Sequence, residues 1–422
     1  MANPITNAHL KMLLPALFLA LTLLTANPVS AQTYTVIHNF TGGPGGQAPY
    51  AGVAVDHAGN IYGTTLAGGE GSCSSNFGTG CGIVFELNPS NGYFKTLWQF
   101  TGGPDGAAPE TGLIVGPAET LFGSTSAFVT GAAGFGTVFK LLPPVTPPRS
   151  IQQDHWIENT LYSFHGGDGA YPLGDLAMDG SGNLYGSTQQ GGSSNNGVVF
   201  ELMPSNGTWA ESILHYFGLG NGDGHSPNGV TLDAAGNIYG TAGGGAGGAG
   251  IVYQLLAASG WAENLLYSFI WGGGPELPDS AVTLDPSENI YSTTEGGGSG
   301  GGTAFELSSG SWGLNTLYNF SGSCGPVLSA LIFDQAGNLY GTTNCDGAYQ
   351  KGSVFKLTPS HGLPWTYTSL HDFTGGADGG YPVGNLAFDA NGNLYGTASC
   401  GGSTGTCGHR NDGYGVVFKI TP

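Results

Sequence analysis

In Gly52-Val53-Ala54-Val55-Asp56-His57-Ala58-Gly59-Asn60-Ile61-Tyr62-Gly63-Thr64-Thr65, two short apolar runs flank an Asp-x-x-Gly-Asn turn. Glycine supplies the positive φ of a tight turn, so the stretch predicts a hairpin. The phrase recurs seven times, its aromatic falling at Tyr62, Phe122, Tyr185, Tyr239, Tyr291, Tyr340 and Tyr395. Working outward, each copy carries a third strand of the type Gly-x-Val-Phe-x-Leu, with an aromatic at Phe85, Phe139, Phe200, Tyr253, Phe305, Phe355 and Phe418. A fourth closes at Phe40, Phe100, Phe164, Phe217, Phe269, Phe320 and Phe373. Four short antiparallel strands repeated seven times predict an all-β, seven-bladed propeller.

The two ends of the chain fix how such a ring closes. Residues 1–31 read as a signal peptide: Lys11, an apolar run Met12–Ala26, then Val29-Ser30-Ala31 before a cut. The remaining chain, 32–422, reads as a single propeller domain. It opens on a fourth-type strand, Tyr34–Phe40, and ends on a third-type strand, Gly415–Ile420. The first strand is therefore expected to complete the last blade, which removes a free sheet edge.

Composition narrows the partners. Without the signal, seven Lys or Arg face 28 Asp or Glu, a net charge of −21 with neutral His. That balance excludes nucleic acid, whose binding needs clustered cations, and argues against anionic membrane surfaces. Glycine, 79 residues, has no collagen period and fits turn-rich β structure. The turn aspartates Asp56, Asp179, Asp233, Asp285, Asp334 and Asp389 fit side-chain capping of hairpins better than calcium loops. No cofactor and no metal site is expected, and the protein is expected to be a monomer.

With strands lettered A to D in each copy, the D–A and B–C loops share one face. They are the long and variable ones. All six cysteines fall there, and Cys73–Cys81, Cys324–Cys345 and Cys400–Cys407 are the expected disulfides. The same face carries the candidate ligand-binding residues His409, Arg410 and Asp412, with Asp168, Asp223, His225 and Asp346. Glu295, Asp378 and Lys351 project from it too. A cation beside carboxylates and imidazoles can hold a polar ligand such as a sugar. The D-strand slot holding His38, Trp98, Tyr162, His215, Tyr267, Tyr318 and His371 reads as packing. No residue qualifies as catalytic: the two Gly-x-Ser-x-Gly matches, 297–301 and 401–405, lie in glycine-rich loops rather than at a strand-to-helix elbow.

The phrases Gly-Asn-Leu-Tyr-Gly-Thr-Thr, Gly-x-Val-Phe-Lys-Leu-Thr-Pro and Leu-x-x-Phe-x-Gly resemble the GloVer tandem-repeat family of bacterial exported proteins, whose members vary in anchor. The likeness runs from Tyr34 to Pro422. It implies a secreted or cell-surface protein, and the absence of a C-terminal sorting segment points to release. Copies two (Gly116-Pro117-Ala118-Glu119-Thr120) and five (Pro286-Ser287-Glu288-Asn289) lose the turn glycine, so looser or differently shaped turns are expected there. The expected function is non-catalytic recognition of carbohydrate or an extracellular protein through the D–A/B–C face. The alternative is an extracellular polysaccharide lyase or glycoside hydrolase.

Overall fold

Each repeat folds as one blade, its B strand largely buried between neighbouring blades and, in six of the seven copies, its first hairpin turn capped by an aspartate. The structure is a computed structural model that describes residues 32–145, 155–220, 222–272, 274–321, 329–407 and 413–421. The expected signal peptide lies outside the described residues. Seven antiparallel four-stranded blades form a seven-bladed β-propeller. Blade 1 is A Ala54–Val55, B Ile61–Thr65, C Ile83–Asn88 and D Tyr93–Gln99. Blade 7 takes A Ala387–Phe388, B Leu394–Ala398 and C Val416–Thr421, and its D strand is Thr33–Asn39 from the other end of the chain. Thr33 pairs with Thr421 and Asn39 with Val416, as the offset of the ends predicts.

Outside blade 4, whose A strand is His225–Leu232, the regular part of each A strand is only two residues long. Asp56 leaves the strand because its carboxylate serves the turn. Oδ1 accepts the N–H groups of Ala58 and Asn60 at 2.8 Å, and Oδ2 accepts the Asn60 amide and the Tyr62 hydroxyl. The same pattern recurs at Asp179, Asp233, Asp285, Asp334 and Asp389. Copy five keeps it in full, contrary to expectation: Glu288 adopts φ 62° in the glycine's place, and Asp285 holds Ser287 and Asn289 as in its siblings. Copy two does differ. It has no turn aspartate and winds through a 3-10 turn at Pro117–Glu119, with Ala118 and Glu119 both at positive φ.

Cores form between blades rather than within them. Phe40, Val53, Ile61 and Phe85 join Tyr395 and Val417 at the seam of blades 7 and 1. Strand-B hydroxyls bridge successive blades at the inner edge. Thr64 donates to the Pro109 carbonyl, Thr241 to that of Ser280, and Thr397 of blade 7 to that of Ala51 of blade 1 at 2.8 Å. The last bond closes the ring a second time.

A second set of seams runs along the outer edge, and here the D-strand slot proves to be a blade-to-blade contact. His38 stacks on Phe94 of the next blade at 3.9 Å, Tyr318 on Tyr367 at 4.7 Å, and His371 on Tyr34 at 3.6 Å. Three slot residues also bond the aspartate of the following D–A loop. The Tyr162 hydroxyl donates to Asp168, and the His215 and His371 imidazoles lie 3.0 Å from Asp223 and 3.1 Å from Asp378. Packing is thus half of that slot's work, and loop anchoring is the other half.

Candidate functional site

The D–A and B–C loops meet on one face and are stitched together there. Gln47 pairs with Ala67, Ala170 with Gln190, and Gly380 with Cys400. Cys73–Cys81 and Cys400–Cys407 are disulfides as expected. Cys345 is also disulfide-bonded, while Cys324 lies outside the described residues. Exposed Phe128, Leu219, Ile270, Trp271, Tyr349 and Tyr414 all rise from this face.

At the centre of the face lies a cavity of about 220 Å³ on the propeller axis. In six of the D–A loops the residue after the proline lines it: Tyr50, Glu110, Leu173, Asn228, Asp279 and Val383. Asp175 of blade 3 and Asn385 of blade 7 meet in this cavity across the axis. The Asn385 amide donates to Asp175 Oδ2 at 2.6 Å, the Gly112 N–H donates to Oδ1 at 2.6 Å, and the Ala330 N–H donates to Asn385 Oδ1 at 2.7 Å. Four blades are tied by these bonds. Backbone approach is close enough that a Cβ on Gly52 would lie 2.6 Å from the Asn385 carbonyl oxygen.

The cavity wall is acidic. Burial pushes the Glu110 carboxyl up to about 7, against which the Ser126 hydroxyl donates to Oε1 at 3.0 Å. Asp279 is pushed up to about 7 by burial and by the nearby Glu295 charge, while the Asn228 amide donates to it. Asn228 in turn accepts from the Gln189 amide at 3.4 Å. Burial also raises Asp175. Near neutral pH Glu110 and Asp279 can donate as well as accept hydrogen bonds, as a ligand with hydroxyl groups demands.

Tyr50 and Glu110 also line a neighbouring groove of about 550 Å³ between blades 1 and 2. Its other walls include Phe77, Phe128, Ser74, Asn76 and Thr130. Tyr50 and Phe77 meet edge to face at 5.0 Å, and Phe128 meets Tyr171 at 5.1 Å. The Cys73–Cys81 loop supplies one wall, as a two-residue hairpin of Ser74–Ser75 against Gly78–Thr79. Ser74 is bonded in both directions to Thr130 of blade 2.

The sequence-derived candidates sit elsewhere. Asp168 accepts the His165 N–H at 2.7 Å and the Tyr162 hydroxyl at 2.6 Å. Asp223 accepts the Leu219 N–H and faces His215. Both carboxylates brace loops near the outer D strands. His225 is exposed at the start of its strand, 3.4 Å from the Ser226 hydroxyl. Asp346 lies near Tyr318 and Tyr367, whose hydroxyls its charge helps to raise. Lys351 donates to the Tyr381 hydroxyl at 2.9 Å. None of the four candidate residues lines the axial cavity, and His409, Arg410 and Asp412 lie outside the described residues. Sequence reasoning missed Tyr50, Glu110, Asp175, Asp279 and Asn385. For Tyr50, Glu110 and Asp279 the signal was a variable position just after a recurring proline, whereas Asp175 and Asn385 fall three residues beyond it.

The profile of the Gloeobacter/Verrucomicrobia repeat matches residues 22–242, 151–277 and 226–422, nearly the whole chain. The chain belongs to this repeat family. For this Gloeobacter/Verrucomicrobia repeat protein no curated relative matches in sequence. Among solved structures it is similar to the extracellular domain of a protein described as a hybrid two-component system from B. thetaiotaomicron. That match has a TM-score of 0.56 and 12% identity, over 90% of this chain and 39% of the other. A second, described as the extracellular domain of a one-component system from the same organism, gives a TM-score of 0.54 and 12% identity, over 93% and 42%. The repeat protein thus spans about two fifths of these neighbours, and the likeness is one of fold. Among the described residues no helix is long and apolar enough to cross a membrane.

Proposed function

We propose that the protein is a non-catalytic, extracellular binding protein whose D–A/B–C face takes a carbohydrate chain. One observation carries the reading: the aromatic groove and the acidic axial cavity share Tyr50 and Glu110, so a single ligand can lie across both. A sugar presents apolar C–H faces and hydroxyl edges. Tyr50, Phe77 and Phe128 offer rings to the first, and Glu110, Asn76 and Ser74 offer donors and acceptors to the second. The terminal residue enters the axial cavity, where Asp279 and Asn228 meet its hydroxyls. Disulfides and the extracellular neighbours support a place outside the cytoplasm.

The test is a glycan array followed by calorimetry, with product analysis on every ligand bound. Tyr50→Ala and Phe128→Ala should each weaken the best ligand by about 10-fold or more, as loss of an aromatic anchor does. Unchanged affinity in both variants refutes the groove. Appearance of new reducing ends or unsaturated products would transfer the site to a hydrolase or lyase, for which Glu110, poised near 7, is the candidate general acid.

A further inference from the structure

Three D-strand histidines occupy equivalent slots on the outer seams, yet their surroundings differ. His38 faces the Phe94 ring of the next blade. His371 has Asp378, but the Tyr34 ring covers it at 3.6 Å. Only His215, at the seam of blades 3 and 4, meets two carboxylates among the described residues. Its Nε2 lies 3.0 Å from Asp223 Oδ1, and the donor atoms of His215, Asp223 and Glu263 all lie within 4.8 Å of one another.

Two further observations set this cluster apart from an ordinary ion pair. It is recessed: the side chains of His215 and Asp223 are only 17% and 10% exposed. And Glu263 Oε1, sealed from solvent, has no hydrogen-bond partner among the described residues. The neighbouring Tyr253 hydroxyl, fully buried in the same seam, likewise has none. Two carboxylates confined this closely repel each other. Among the described residues no Lys or Arg pairs with either carboxylate.

We propose that His215, Asp223 and Glu263 bind a divalent transition-metal ion, with Zn²⁺ the best match. One imidazole nitrogen and two carboxylate oxygens are borderline ligands suited to Zn²⁺, and they leave a fourth tetrahedral position open. Donors on a tetrahedral zinc sit about 3.4 Å apart, given bonds of about 2.1 Å, so rotamer adjustments of an ångström or so close the site. The imidazole proton moves to Nδ1, freeing Nε2. The ion cancels both negative charges and ties the D strand of blade 3, the loop entering blade 4 and the D strand of blade 4. No such site was expected from the sequence, because the three ligands are 8 and 40 residues apart and follow no motif spacing.

The experiment takes the full chain, strips it with a chelator, and titrates Zn²⁺ or Co²⁺ alone by calorimetry and cobalt absorption. One ion per chain is expected, with a cobalt spectrum of low coordination number. His215→Tyr should weaken binding at least 10-fold, since even outer-shell groups have that effect. This variant keeps the fold by reproducing the Tyr162–Asp168 arrangement of the preceding seam. Glu263→Gln should behave likewise, and Glu211→Gln, at that preceding seam, should bind like the parent. Absence of saturable binding, or binding that survives His215→Tyr, overturns the proposal.

Discussion

Replacing Glu110 by Gln isolates the cost of a buried carboxylate at the axis. In the fold this carboxyl holds its proton up to about pH 7, against an ordinary value of 4.5. Its folded-state pKa is raised, so the folded chain binds more protons than the unfolded one between those values. Stability therefore falls as pH rises from about 4.5 to 7 and stays at the lower level above that. Each tenfold change in proton affinity is worth about 1.4 kcal/mol, so at pH 8 the ionised group costs the fold about 3 kcal/mol. Gln is uncharged and its Oε1 can still accept from the Ser126 hydroxyl. Glu110→Gln should thus gain up to about 3 kcal/mol at pH 8, with the gain shrinking to near zero by pH 4. Urea titrations with the disulfides intact, at pH 4, 6 and 8, read this as a rising midpoint at constant slope. A variant no more stable than the parent at pH 8, or equally stabilised at every pH, refutes the reasoning.

Two further perturbations probe the scaffold of the site. Asp175→Ala strands the Asn385 amide and the Gly112 N–H in a buried place, and should cost about 2–4 kcal/mol in urea unfolding, whereas Asp175→Asn should cost less because it retains an acceptor. Replacing Cys73 and Cys81 together by Ala opens a short loop, worth about 2–3 kcal/mol in the chain-entropy account, and should weaken glycan binding in the blade 1–2 groove while leaving an axial Asp279→Asn effect unaltered, as calorimetry would show.

What could be read in the sequence was whatever the chain writes locally and repeats. The Asp-x-x-Gly-Asn turn is complete within five residues, and the 73–81 and 400–407 disulfides each span a single loop, so spacing exposed them. Asp168 and Asp223 were assigned to ligand binding and Asp378 was placed on the same face, since their partners Tyr162, His215 and His371 looked like packing residues. Only coordinates reveal that a slot residue and the aspartate six to eight positions later brace one loop. The axial cavity was illegible for a different reason. Asp175 and Asn385 are 210 residues apart and touch because the ring brings every A strand to one axis. Periodicity predicts the ring, but it does not say which odd residue of seven will face inward with room around it. Glu288 shows the converse: a missing glycine predicted a distorted turn, and the surrounding Asp285 bonds were strong enough to hold a glutamate at positive φ.

The pairing of Thr33–Asn39 with Val416–Thr421 bears on when the molecule can become itself. Blades 1 to 6 are each contiguous in the chain and can assemble as it emerges, one hairpin after another. Blade 7 cannot, because its outermost strand is made first and the strand it needs is made last. Until Val416–Thr421 is available, Thr33–Asn39 has no partner strand in this blade, and joining segments so distant in sequence carries a large loop-closure entropy. An unpaired strand edge is a template for association with another chain, so closure of this blade also removes a route to aggregation.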